Sequence, residues 1–185
     1  RLYLEGCSDE VFVDSVFFRN ISSLISDSRM NELLCKNKIK LVLYLHYKMQ
    51  RYIQTFEGFK SSNIIIAHQK HFNTQKLLKK SKLLLTDYSS VFFDFAYMNK
   101  PVIYFQFDKN DFYQKHYKKG QYNFDTDGFG EIKDNVKDVV KLIEKYILND
   151  FSMESMYTDR VKKFFGFRDS NNCLITSAEE YPCAT

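Results

Sequence analysis

Short continuous apolar runs alternate with amphipathic stretches along most of this chain. Residues 39–45, Ile64-Ile65-Ile66-Ala67, Leu83-Leu84-Leu85-Thr86 and Val102-Ile103-Tyr104-Phe105 are apolar segments of strand length. Unbroken runs of this kind are expected of strands buried on both faces. Residues 21–34, 72–81, 91–98 and 135–148 instead carry apolar positions at helical spacing, and residues 152–165 read as a further helix. Asn73 or Thr74 is the expected start of the second of these, and Asn99-Lys100-Pro101 the expected stop of the third. Val11-Phe12-Val13 and Val16-Phe17-Phe18 read as an opening strand, and residues 106–131 as one long polar and aromatic loop. Strand and helix in alternation predict an α/β fold, a Rossmann-like parallel sheet flanked by helices.

The chemistry concentrates in one turn. Asp87-Tyr88-Ser89-Ser90 follows the third apolar run and precedes the helix over 91–98. It therefore lies beyond the carboxyl end of a parallel strand, where open α/β sheets bind their ligands. Ser89 or Ser90 suits an N-cap, leaving a second hydroxyl and the first-turn amides for a phosphate. Ser90 and Asp94 share a helix face, so Asp94 is placed to hold a serine or a ribose hydroxyl. An ordinary capped βα turn with a surface acid has the same residues and is the commoner meaning of such a pattern. His46 follows its strand as Asp87 follows its own, which puts both at one edge of a parallel sheet. A short helix carrying Lys48 and Arg51 is expected after it. His68 and His71 read as loop histidines, and Asp125-Thr126-Asp127 beside Gly128 reads as a turn and not as a metal motif.

Composition narrows the class. The 185 residues include 18 Phe and 13 Tyr, no Trp and little Gly or Pro, which excludes a disordered or collagen-like chain. A net charge of +4 fits an anionic ligand or an anionic membrane surface and is too small to indicate a nucleic-acid protein. No apolar run approaches the roughly twenty residues of a membrane span, and no signal peptide is visible. Cys7, Cys35, Cys173 and Cys183 are widely separated and read as free thiols. The expected organisation is one nucleotide-donor-binding Rossmann-like domain over residues 1–168 and a polar tail over 169–185, without repeats or a linker. The chain opens on Arg1 and not Met, so an excised piece is the expectation.

Thr86-Asp87-Tyr88-Ser89-Ser90-Val91, Phe93-Asp94-Phe95-Ala96 and Asn99-Lys100-Pro101-Val102-Ile103-Tyr104 together resemble the signature of the CDP-glycerol glycerophosphotransferases. Agreement in order and spacing over about twenty residues is more specific than a short motif match. A looser resemblance runs from Phe17-Phe18-Arg19 to Phe164-Phe165-Gly166-Phe167-Arg168-Asp169, and so covers only the carboxyl-terminal half of such an enzyme. The resemblance implies one half of a GT-B architecture, the half that binds the nucleotide donor.

It further implies transfer of glycerol phosphate, or a related polyol phosphate, from a CDP-linked donor to an acceptor hydroxyl in teichoic-acid or capsule-like polymer synthesis. Its implied partners are CDP-glycerol or a similar CDP-polyol and a lipid-linked or polymer acceptor, with no cofactor, metal or nucleic acid. Its implied location is cytoplasmic, peripheral on the inner face of the cell membrane. Ser89, Ser90 and Arg19 would meet the donor phosphates, Arg19 matching an aromatic–Arg pair at the end of the family's first strand. His46 would assist the leaving group as the catalytic residue, and Asp87 and Asp94 would order the turn or reach the ribose. The family's usual His-Pro pair is His46-Tyr47 here, a departure that bears on loop shape. The general base is not evident in this half. Two other readings stand beside this one: a GT-B glycosyltransferase using a nucleotide sugar, and a non-catalytic nucleotide-binding module.

Overall fold

The computed structural model describes Leu4, residues 6–109, Phe112 and residues 122–166. Tyr113, His116, Tyr117, Lys118 and Lys119 of the expected loop, Cys173, Cys183 and the tail from 169 lie outside the described residues.

The expected opening strand is helical. Helices α1 (Asp9–Val13) and α2 (Val16–Ser26) replace it, and α3 (Ser28–Lys36) follows. Local capping explains the change: the Ser8 hydroxyl accepts from the Val11 amide, and the Ser15 hydroxyl from the Phe18 amide at 3.1 Å. Each serine satisfies a first-turn donor that an extended chain would not present. Burial of Phe12, Phe17, Leu24 and Ile25 then follows the helical repeat. Phe12 stacks on Tyr52 with ring centroids 4.2 Å apart, and the Tyr52 hydroxyl donates to the Leu4 carbonyl at 2.7 Å.

Five short strands follow among the described residues: β1 (Leu41–Leu43), β2 (Ile64–Ile66), β3 (Leu84–Thr86), β4 (Val102–Phe105) and β5 (Gly130–Lys133). All pairings are parallel. They form a two-stranded sheet, β1-β2, and a three-stranded sheet, β3-β4-β5. The loop expected over residues 106–131 ends inside β5, where Glu131 and Lys133 interrupt the apolar pattern. Its pairing with β4, from Val102 opposite Gly130 to Phe105 opposite Lys133, makes it a strand. The expected loop also contains one helical turn, α6 (Phe124–Asp127). Asp125 there pairs with Lys109 at 2.9 Å, and Asp127 accepts from the Asn123 amide at 2.9 Å.

Helices cover both faces. Ile103 and Phe105 of β4 enter a core formed with α2, α3 and α7 (Val136–Leu148), while Val102 and Tyr104 enter a second core with α5 (Val91–Tyr97) and α8 (Ser155–Phe165). This two-residue alternation across a strand buried on both sides is what a doubly covered parallel sheet requires. A 3-10 segment, Tyr47–Phe59, links β1 to β2, and α4 (Thr74–Lys80), capped by Asn73, links β2 to β3.

The Asn99-Lys100-Pro101 stop has a structural reading beyond its resemblance. Asn99 takes a left-handed conformation, φ 56°, after the end of α5. The Lys100 ammonium donates to the carbonyls of Leu78, Lys79 and Ser81 at 3.1, 2.7 and 2.8 Å, closing the carboxyl end of α4. Burial holds its pKa below the ordinary lysine value. Replacing Lys100 with Met strips three carbonyls of a charged donor, and is expected to cost about 2 kcal/mol, read as a lower urea midpoint with unchanged slope.

Candidate functional site

The site is assembled from two strand ends. β1 ends before His46, and β3 ends before Asp87-Tyr88-Ser89-Ser90. His46, Asp87, Ser89 and Ser90 all line one cavity of about 1530 Å³, which runs between the two sheets. The two strand ends belong to separate sheets and are not hydrogen-bonded neighbours. Arg19 and Asp94 are not among the residues lining it. Arg19 lies exposed on α2 and not at a strand end, because its segment is helical. Asp94 is exposed in the first turn of α5, where its charge favours the helix amino terminus, and no hydrogen bond joins it to Ser90.

The turn itself departs from simple capping. Ser90 occupies the N-cap position of α5 in a helical conformation and makes no side-chain cap bond. The Asp87 carboxylate instead accepts from the Ser89 amide at 3.2 Å, an Asx-type turn. Among the described residues neither serine hydroxyl is engaged by a side-chain bond, so both are available to a ligand. Since α5 spans only seven residues, the hydroxyls matter more here than a helix dipole.

His46 caps the 3-10 segment: its Nδ1 accepts from the Lys48 amide at 3.4 Å. In the neutral ring this places the remaining proton on Nε2 and leaves that N–H to donate outward. Exposed Tyr47, standing where the resembling family has proline, packs obliquely on the imidazole with centroids 4.3 Å apart.

Three supporting residues, Gln50, Gln106 and Tyr88, were not legible as such. Gln50, almost fully buried, donates from Nε2 to the Leu45 carbonyl at 2.7 Å and accepts the Gln69 amide at 3.1 Å. It thereby fixes the backbone just before His46 against the loop after β2. Gln106, wholly buried, donates to the Asp87 carbonyl at 3.5 Å and anchors the serine turn to β4. Tyr88 stacks on Phe112 at 3.6 Å and donates to Asp108 at 3.3 Å, tying the turn to the segment after β4. A polar residue inside an apolar helical repeat, as at Gln50 between Met49 and Tyr52, was the available signal. His68 is committed elsewhere, to Glu57 at 2.6 Å.

Four similarities to known proteins bear on this arrangement. The family model for CDP-glycerol:poly(glycerophosphate) glycerophosphotransferase matches residues 14–174. The minor teichoic acid biosynthesis protein GgaB of Bacillus subtilis (strain 168) is 37% identical over 161 residues, covering 87% of this chain and 17% of that protein. The teichoic acid poly(glycerol phosphate) polymerase of Bacillus spizizenii (strain ATCC 23059 / NRRL B-14472 / W23) is 30% identical over 112 residues, or 60% of this chain and 27% of that protein. In fold, the chain is similar to the wall teichoic acid polymerase TagF, with a TM-score of 0.57 at 21% identity, over 83% of this chain and 36% of that one. The chain thus spans less than a third of the length of these two Bacillus relatives. On the match over residues 14–174, the chain belongs to the CDP-glycerol:poly(glycerophosphate) glycerophosphotransferase family.

Proposed function

We propose that this chain is the donor-binding half of a glycerophosphotransferase that moves glycerol phosphate, or a related polyol phosphate, from a CDP-linked donor to an acceptor hydroxyl. The observation that carries the reading is the single cavity lined by His46, Ser89 and Ser90, with both serine hydroxyls uncommitted, in a chain of this family. The acceptor oxygen attacks the phosphorus that bears the glycerol. The bond from that phosphorus to the bridging oxygen breaks, CMP departs, and the acceptor proton passes to a base outside this half. Little covalent chemistry falls to the protein, so positioning and charge stabilisation carry the rate.

Ser89 and Ser90 donate to non-bridging oxygens of the diphosphate. His46 Nε2–H donates to the oxygen that leaves with CMP. Asp87 holds the Ser89 amide and so shapes the turn. The acceptor is a lipid-linked or polymeric polyol phosphate, and the net charge of +4 suits work at an anionic membrane face. No helix among the described residues is long and apolar enough to cross a membrane.

Calorimetric titration with CDP-glycerol, CDP, UDP and UDP-glucose tests the donor. Cytidine ligands are expected to bind preferentially, and a Ser89→Ala/Ser90→Ala variant to bind CDP-glycerol about tenfold or more weakly, since each hydroxyl donates to a charged group. Preference for UDP-glucose would instead make the chain a sugar transferase. Folded protein that binds none of the four would overturn the donor assignment.

A further inference from the structure

The two sheets are interrupted at a particular place. Leu41 and Leu43 face β2 with their backbone groups, as the Leu41 amide donating to Asn63 and the Ala67 amide donating to Leu43 show. In a parallel ladder the groups of the intervening residue point the other way, so Val42 presents its N–H and C=O away from β2. In β3 the Leu84 amide donates to Pro101, and the groups of Leu85 accordingly point away from β4. Both free edges line the same cavity, and among the described residues no strand lies between them.

Burial marks the same opening. β1 and β3 are only half-buried throughout, whereas the strands they pair with are more buried, β2 at its first and last residues and β4 at every position. Apolar side chains also approach the gap from both helical layers, Leu24 and Ile143 from one and Leu77 and Phe92 from the other. An open edge of this length and polarity is a template for another strand.

We infer that the slot between β1 and β3 receives a sixth parallel strand, an apolar segment of about five residues from polypeptide of the same polymerase beyond these 185 residues. Three observations select that occupant. With the slot counted, the order β2-β1-slot-β3-β4-β5 matches the 3-2-1-4-5-6 order of doubly wound folds, with the slot in the position of the first strand. Helices α2 and α3 precede β1 and pack on the same layer as α7, as the crossover of a βαβ unit does, yet no strand precedes them among the described residues. The chain covers only 36% of the polymerase chain it resembles in fold, so such polymerases carry further polypeptide from which a strand can come. A strand buried on both faces there is apolar throughout and not alternating. Its carboxyl end emerges between His46 and the Asp87–Ser90 turn, so it completes the wall of the site as well as the sheet. The inference rests on sheet geometry and not on the identity of the donor.

Residue-resolved amide hydrogen exchange tests it. The 185-residue chain is compared with the same chain carrying Val-Ile-Val-Ile-Val ahead of Arg1 through a flexible Gly-Ser linker of about eight residues, and with a control carrying the linker alone. In the unextended chain the Val42 and Leu85 amides are expected to exchange about tenfold or more faster than the Ile103 amide, and to slow by about tenfold or more only when the apolar strand is attached. Val42 and Leu85 amides already as protected as Ile103 in the unextended chain would overturn the inference, because the slot would be closed. So would unchanged exchange in the strand-bearing chain. Protection that rises with protein concentration, together with dimer in sedimentation, would assign the slot to a second copy and overturn it equally.

Discussion

Alanine at His46 is expected to lower glycerophosphate transfer by about 10²–10⁴-fold in the complete polymerase, while donor affinity changes by only about threefold, since one of several phosphate contacts is lost. The asymmetry follows from where the imidazole sits and what its nitrogens do. Nδ1 is occupied by the Lys48 amide, which leaves Nε2–H as the outward group. A donor aimed at the leaving phosphate gains strength as charge builds on that oxygen, so its loss falls on the transition state more than on the ground state. Single-turnover rates alongside calorimetric Kd separate the two. His46→Gln, which keeps a donating N–H on a side chain of similar reach, is expected to recover part of the rate. An equal loss in affinity and rate, with no recovery by glutamine, would reduce His46 to a binding residue.

Gly130→Ala is expected to destabilise the fold by about 3 kcal/mol, a fall in Tm of about 6–12 °C for a chain of this size. Gly130 opens β5 directly opposite Val102. A Cβ there would lie 1.8 Å from the Val102 carbonyl oxygen and 2.6 Å from its carbon. These are backbone atoms of the central strand and cannot rotate away, so β5 must shift or detach. Calorimetry of the variant reads the loss directly. A change in Tm below about 2 °C would mean that β5 tolerates displacement and contributes little to the sheet.

The two predictions differ in how visible their residues were. His46 and the Asp87–Ser90 turn stand out because a strand-length apolar run ends abruptly in polar residues, a feature confined to neighbours in sequence. The capping of Ser90 was misjudged for a reason of geometry. Asp87 already closes the turn through the Ser89 amide, and the helical conformation of Ser90 leaves its hydroxyl uncommitted. Arg19 was placed at a strand end because its segment is rich in aromatic and β-branched residues, which suit a strand and a buried helix face equally. Gln50 and Gln106 act through carbonyls on other elements, and nothing in their own neighbourhoods specifies those partners.

By itself the sequence determined the alternation of strand and helix from residue 39 to 105, the helices begun by Asn73 and Asn135, and the turn that carries the candidate chemistry. These depend on periodicity and on side chains that bond to amides two or three residues away, so a local reading suffices. Tertiary structure decided the rest. Between the strand its aromatic residues suit and the helices its Ser8 and Ser15 caps allow, it selected α1 and α2 by supplying Tyr52 and the inner layer for Phe12 and Phe17 to pack against. It made residues 130–133 a strand by offering the open edge of β4. Among the described residues it also left β1 and β3 unpaired on facing sides, since strand pairing is a property of two edges and only one of them is written in any single segment.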